Sequence, residues 1–374
     1  MAKVRHVLGI SGGKDSAALA LFLKSRHPEL DIEYYTSDTG RELDETYALI
    51  ERLNSALGKP ILRIDPIKEN HTNAPSNFDH FLELYGGYLP SSMARWCTKK
   101  LKLEPFEEYI GEVPTISYVG IRGDEDREGY ISKKPNVQSI FPFRENIWSE
   151  DVTKKVLANS NRDQLLNYYR EILSPQELAQ AEPYISKAIS ASFTQKQKLE
   201  SLLRIGIKEY NQVVFQYLKT TDYPVGKLDH FPLVDNEEVI RLTDVFRILD
   251  ESGVGAPEYY RELEYEVEID GELKKGTYAR SRSGCFFCFY QQKIEWVWLL
   301  EQHPDLFAKA MTYEQEGYTW MQEETLSELS QPERIAAIKK EHYIRTHRIQ
   351  AKSQQNWQDE ILAAEGVGCA SCFI

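Results

Sequence analysis

One stretch constrains this chain more than any other. An apolar run, residues 4–10 (VRHVLGI), breaks into Ser-Gly-Gly-Lys-Asp-Ser and resumes as an Ala/Leu-rich segment over 14–26. The run reads as a buried strand and the segment as a helix, so the chain begins with a strand–turn–helix unit. The Gly-Gly turn lets backbone N–H groups approach an anion closely. The helix start adds unpaired N–H donors and the positive end of the helix dipole. Ser11 and Ser16 offer hydroxyls and Lys14 supplies charge. Together they make a cradle for a pyrophosphate. It is not a Walker A loop: Lys14 is followed by Asp15, and Leu8 stands where the first Gly of that motif belongs. The plain alternative is an ordinary Gly-rich strand-to-helix turn.

The pattern continues downstream. "DIEYYTSDTG" reads as a second strand ending in a polar turn, and Leu43, Tyr47, Ile50, Leu53 and Leu57 have helical spacing. "PILRIDP" is a third strand, "CTKKLKLEPFEEYIG" a helix and "TISYVGIR" a fourth strand. Strands alternating with helices predict an α/β fold with a doubly wound, mostly parallel sheet. Ligands then sit at the carboxyl ends of the strands, where "SGGKDS", "SDTGRE" and "GIRGDEDR" all fall. Three parts are expected: a nucleotide-binding domain over 1–147, a polar helical insertion over 148–230, and a helical C-terminal region over 231–374 with two C-x-x-C motifs and a metal site. The flanks of the insertion, starting at Phe141 and Phe231, share Phe-Pro, an Asn and a later Asp-Val. This is a small internal repeat or a chance similarity.

Composition excludes some functions. Hydrophobic residues make up 41% of the 374 and charged ones 28%, so a packed core is expected. Acidic residues outnumber basic ones 58 to 45, for a net charge of −13. Such a chain should not coat nucleic acid unaided, because phosphate binding is driven by basic charge. A local basic patch or a partner would be needed. Residues 151–220 carry a basic excess, and residues 331–352 carry Arg334, Lys339, Lys340, Arg345, Arg348 and Lys352 against two Glu. The second stretch reads as a basic helix able to touch a nucleic-acid backbone, or as an ordinary polar helix. No run approaches the ~18 apolar residues of a membrane span, and the N-terminus lacks signal-peptide character. A cytoplasmic protein without membrane contact is expected.

The five cysteines are Cys97, Cys285, Cys288, Cys369 and Cys372. An odd number argues against a disulfide framework. Cys285-Phe-Phe-Cys288 is a half-site for zinc or an iron–sulfur cluster, and Cys369-Ala-Ser-Cys372 could complete a tetrahedral Zn²⁺ site. Asp38 reads as a nucleotide or Mg²⁺ contact, or as a turn-forming Asp. Arg122 and Arg127 flank three acidic residues after the fourth strand.

"SGGKDS" after an N-terminal strand resembles the PP-loop of the ATP pyrophosphatases, the adenine nucleotide alpha hydrolase-like group. Those enzymes cleave ATP to AMP and pyrophosphate while adenylating a substrate oxygen. The loop positions map onto Ser11, Gly12, Gly13, Lys14, Asp15 and Ser16. "SDTGRELDET", "RWCTKKLKLEPFEEYIG" and "GIRGDEDREGY" resemble segments of the phosphoadenosine phosphosulfate (PAPS) reductase family. That resemblance covers roughly residues 4–145 and 231–315. It implies nucleotide contacts from Asp38, Thr39, Gly40, Gly120, Arg122 and Arg127, with Lys14, Asp15 and Arg122 in catalysis. The chain departs from true sulfonucleotide reductases in keeping the full ATP-type loop. It also has Trp96-Cys97 in place of a tandem Cys-Cys, and lacks their Glu-Cys-Gly-type tail motif. These departures favour an ATP-consuming relative, similar in kind to the ATP pyrophosphatases of DNA phosphorothioation (Dnd- and Ssp-type) systems or to tRNA thiolation enzymes.

By the same resemblance, Cys97, Cys285 and Cys288 would hold a 4Fe–4S cluster. One of Cys369 or Cys372 would be the fourth ligand, or the tail would carry a persulfide. The implied activity is adenylation of a nucleic-acid oxygen by ATP and Mg²⁺ for replacement by sulfur. A cysteine desulfurase would donate the sulfur, and DNA would be reached through partner proteins, with tRNA as the alternative. Two other readings stay open: a sulfonucleotide reductase with a thiol partner, and a nucleotide-binding regulatory subunit with structural zinc.

Overall fold

The computed structural model describes residues 3–67, 74–126, 132 and 134–352. Its centre is a five-stranded parallel sheet of β1 (Arg5–Gly9), β2 (Ile32–Ser37), β3 (Ile61–Ile64), β4 (Thr115–Tyr118) and β5 (Val137–Ile140), in the order β3-β2-β1-β4-β5. Leu8 of β1 is in register with Tyr34 of β2 on one side and Tyr118 of β4 on the other. The strand order reverses between β1 and β4, and that reversal opens the crevice where doubly wound sheets bind ligands. This is the fold class expected.

Helix α1 (Lys14–Arg26) follows β1 and is buried from Lys14 to Leu23. A helix apolar on all sides belongs inside, and each fully buried Leu contributes about 1.5–3 kcal/mol. Helix α2 (Asp44–Leu57) has the predicted stripe, with Leu49, Leu53 and Leu57 buried. Helix α3 is Asn77–Leu84. The predicted helix around Cys97 is interrupted: α4 (Trp96–Thr98) widens into a π-helical turn over Lys99–Leu103 before α5 (Glu104–Ile110) resumes. Such turns shift side chains around the helix and recur at functional sites.

The insertion is helical as expected: α6 (Glu150–Val156), α7 (Arg162–Ile172), α8 (Pro175–Ser186), α9 (Gln195–Leu203) and α10 (Ile207–Leu218). Ser174 with Glu177 and Thr194 with Gln197 form capping boxes that start α8 and α9. Its Val213 and Leu218 join Trp148 and Phe231 in one cluster with Leu19 and Phe22 of α1, so it shares the core of the sheet. The two look-alike flanks lie side by side. Ile240 N–H donates to the Phe143 carbonyl at 3.0 Å, and Asn236 Nδ2 donates to the Pro142 carbonyl at 3.2 Å. Helix α11 (Leu242–Glu251) then packs on α1.

The C-terminal region is not helical throughout. An antiparallel hairpin of β6 (Leu263–Ile269) and β7 (Glu272–Tyr278) precedes the cysteine turn. Its Asp270-Gly271 loop has φ of 52° and 82°. An Asp-Gly pair supplies the left-handed backbone that a two-residue hairpin needs. Helices α12 (Lys293–Gln302), α13 (Pro304–Thr312), α14 (Leu326–Leu329) and α15 (Pro332–Lys352) follow. A second core of Phe78, Trp96, Phe287, Trp296 and Trp320 joins α3 and α4 to this region. Among the described residues, no helix is long and apolar enough to cross a membrane.

Candidate functional site

The glycine turn leaves β1 at the strand-order reversal. Gly12 has φ +72°, and a Cβ there would stand 2.3 Å from Thr46 Cγ2. Gly13 is the N-cap of α1 and supplies no side-chain cap. The N–H groups of Gly12 and Gly13 have no hydrogen-bond partner among the described residues. The Ser16 hydroxyl braces the turn, 3.0 Å from Ser11 Oγ and 3.2 Å from the Gly13 carbonyl. The backbone needed for an anion cradle is therefore present.

The turn is not open on all sides. Tyr259 OH donates to the Gly12 carbonyl at 3.3 Å, and Lys14 N–H donates to Tyr260 OH at 3.4 Å. Lys14 is 1% exposed; its ammonium donates to the Ser281 carbonyl at 3.2 Å and lies over the Tyr260 ring. A Cβ on Gly13 would meet Ser283 Oγ at 2.4 Å. Residues 259–283 thus close over a loop more than two hundred positions away in sequence. Nothing in the tyrosine pair announced this, although "SRSG" stands next to the C-x-x-C motif.

Asp15 and Arg122 meet. Arg122 is fully buried, with Nη1 2.6 Å from Asp15 and 3.1 Å from Glu125, and Nε 3.0 Å from Asp124. Three carboxylates around one guanidinium tie the start of α1 to the loop after β4. Gly120 packs there too: a Cβ on it would lie 2.9 Å from the Asp15 carbonyl oxygen. Arg122 holds this geometry, and its contacts to carboxylates are those of a positioning residue. Arg127 lies outside the described residues.

Asp38, Thr39 and Gly40 form the turn after β2. Asp38 accepts from Gly40 N–H at 2.7 Å and Tyr47 OH at 2.9 Å, and pairs with Arg63 at 2.9 Å. Gly40 has φ +73° and packs against Ser76. The Thr39 hydroxyl donates to Glu42 at 2.8 Å and stands 3.1 Å from Cys285 Sγ. The turn that resembles a nucleotide contact is thus also a wall of the cysteine turn, which a bridge between Glu42 and Cys285 reinforces.

Cys97, Cys285 and Cys288 come together from distant segments. Burial pushes the Cys97 thiol up to about 12, and the charge of Cys288 adds to this. Burial also raises Cys285 and Cys288, and Cys285 feels Glu42 and Cys288 as well. Lys102, on the π-helical turn, opposes the rise at all three thiols. Burial likewise raises the Glu42 carboxyl. Among the described residues, no group of three or more His, Cys, Asp or Glu side chains is gathered to hold a metal ion. Cys369 and Cys372 lie outside the described residues.

Helix α15 carries less free charge than its sequence promised. Arg334 is paired with Glu324 at 2.7 Å and Lys339 with Glu301 at 2.6 Å, while Arg345 donates to Gln292 at 2.7 Å.

With this geometry in hand, comparison with known proteins bears on the first part of the chain. Residues 5–144 match the phosphoadenosine phosphosulfate reductase domain. This PAPS reductase-like domain contains the glycine turn, the Asp38 turn, Cys97 and the Arg122 cage. A curated protein of Methanocaldococcus jannaschii, "Uncharacterized protein MJ0066", is 31% identical over 157 residues, which is 38% of this chain. The chain spans only 30% of that relative's length. The phosphate complex of phosphoadenylyl-sulfate (PAPS) reductase from Candida auris is 17% identical, covering 39% of this chain and 67% of that one with a TM-score of 0.29.

Proposed function

We propose that this chain is an AMP-forming ATP pyrophosphatase that activates a nucleic-acid oxygen for replacement by sulfur. The carrying observation is the uncapped start of α1 at the strand-order reversal, with the Gly12 and Gly13 N–H groups unpartnered among the described residues. Such a helix start favours negative charge. ATP would place its pyrophosphate portion there, with Mg²⁺. A substrate oxygen attacks the α-phosphorus, the bond to the bridging oxygen breaks, and pyrophosphate leaves with its charge on the turn. Sulfur at the hydrosulfide level then displaces AMP, so that each turnover converts one ATP to AMP and pyrophosphate without net redox change.

Cys97, Cys285 and Cys288 would hold a 4Fe–4S cluster, which supplies thiophilic iron for handling the incoming sulfur. The mutual influence of Cys288 with Cys97 and Cys285 supports placing the three thiols in one centre. A desulfurase would supply the sulfur as a persulfide, and two equivalents of an external thiol would reduce it to hydrosulfide while being oxidised to a disulfide. The net charge of −13 supports delivery of DNA by partner proteins, with a phosphate oxygen as acceptor.

The test is product analysis. The chain, isolated with its co-purifying proteins and held anaerobically with ATP, Mg²⁺, a sulfur donor and either DNA or tRNA, should form AMP and pyrophosphate in equal amounts, with sulfur entering the DNA. Gly13→Ala should abolish this. Formation of ADP, or thiol-dependent turnover of PAPS without ATP, would overturn the reading. Sulfur entering tRNA alone would replace the acceptor.

A further inference from the structure

Arg280 stands apart from the other arginines of the site. It is 1% exposed, between the end of the hairpin and the cysteine turn. Its Nη2 donates to the Cys285 carbonyl at 3.2 Å and to Gln291 Oε1 at 3.3 Å. Its Nε and Nη1 are buried without a hydrogen-bond partner among the described residues. No carboxylate lies within ion-pair distance of it among the described residues, unlike Arg122 with three. Its other neighbours are aromatic: the Tyr259 and Trp298 rings lie 5.8 and 5.9 Å from Cζ.

A buried guanidinium costs far more than it returns unless an anion balances it. Arg cannot shed its proton to escape this cost. The aromatic faces offset part of it, and two N–H groups remain to be satisfied. The unpartnered polar atoms continue around it: Gln291 Nε2 and Glu42 Oε2 are also buried without partners. All of these flank the Cys285–Cys288 turn.

We propose that Arg280 is the anion receptor of the cysteine centre, binding the negatively charged sulfur species that the centre handles. The occupant is a compact sulfur anion, a hydrosulfide or the terminal sulfur of a persulfide. The inference rests on the proposed sulfur chemistry, but the receptor is a property of this chain that can be measured apart from it. Arg280 acts as a positioning residue: it holds the anion beside the thiols while its Nη2 fixes the turn that carries them.

The experiment compares a neutral and an anionic alkylating reagent of nearly equal size. The full-length chain is reduced, stripped of metal and treated with iodoacetamide or iodoacetate at one pH. Modification of Cys285 and Cys288 is followed by mass spectrometry. The ratio of the two rates cancels thiolate content and access, and so reports the local charge. Arg280→Met should lower the iodoacetate to iodoacetamide ratio at least roughly tenfold, the size expected for one charge acting over about 12 Å at an effective dielectric near 20. Arg280→Lys, which keeps the charge and loses the fork, should retain most of the ratio and controls for folding. An unchanged ratio in Arg280→Met would overturn the proposal and leave Arg280 a structural brace. A wild-type ratio that collapses on adding ATP and Mg²⁺ would assign the receptor to nucleotide phosphate and overturn the sulfur assignment. If Arg280→Met lowers the ratio while the wild type forms no AMP, the receptor stands and the ATP reading fails.

Discussion

The glycine turn and the cysteine centre are neighbours built in opposite ways. The turn is contiguous: residues 11–16, one strand end and one helix start make the whole cradle. The cysteine centre takes Cys97 from before a π-helical turn, Cys285 and Cys288 from after a hairpin, and walls from Thr39 and Glu42. Local backbone geometry can be written in six letters. A centre whose parts meet only after two cores have formed cannot. The contrast extends to charge: Arg122 beside the turn is matched by three carboxylates, whereas Arg280 beside the cysteines has none within ion-pair distance among the described residues.

The strongest way to break this comparison is to remove the matched cation. Arg122→Met strands three carboxylates around a fully buried position and should cost about 3–5 kcal/mol in equilibrium denaturation. A loss below ~1 kcal/mol would mean that the cage does not tie the turn to the sheet. Next comes the turn itself. Gly12→Ala meets both a left-handed φ and Thr46, so it should lose about 1–3 kcal/mol and at least roughly tenfold in ATP affinity by calorimetry. Gly58→Ala, with φ +65° and no neighbour within 4 Å, is the control. It should cost only about 1 kcal/mol and leave ATP affinity unchanged.

The smallest effect tests how the C-terminal region is fastened. The Arg334 guanidinium, helped by Lys293 and opposed by burial, holds the Glu324 carboxyl down at about 2. A depressed carboxyl contributes stability that is present above its unfolded value near 4.5 and lost as pH falls through about 2. Glu324→Gln should cost about 1 kcal/mol at neutral pH and flatten the acid limb of the stability curve. An unaltered acid limb would show that the pair does not anchor α15.

Sequence legibility followed the same divide. The four strands, α1, α2 and the doubly wound order could be read because period and punctuation agree along the chain. Strand β5 was missed because its four residues, Val-Gln-Ser-Ile, are too short to show a period. The hairpin, absent from the helical reading of residues 231–374, is marked by Asp270-Gly271 and by the alternation of Leu-Glu-Tyr-Glu-Val-Glu-Ile before it. Lys14 and Asp15 were read as site residues from the motif alone. Their partners Tyr260, Ser281 and Arg122 depend on tertiary packing that no local pattern encodes. The charge of α15 misled because Glu324 and Glu301, which neutralise Arg334 and Lys339, lie outside the helix.

If Cys97, Cys285 and Cys288 form one sulfur-handling centre beside the glycine turn, the metal content of the chain must show it. Iron, sulfide and zinc analysis of the anaerobically purified chain tests it most directly, with Cys97→Ala and Cys288→Ala measured in parallel. The account predicts about four irons and matching sulfide per chain, with both substitutions losing or weakening the iron signal together. One zinc and no iron, retained in Cys97→Ala, would contradict it.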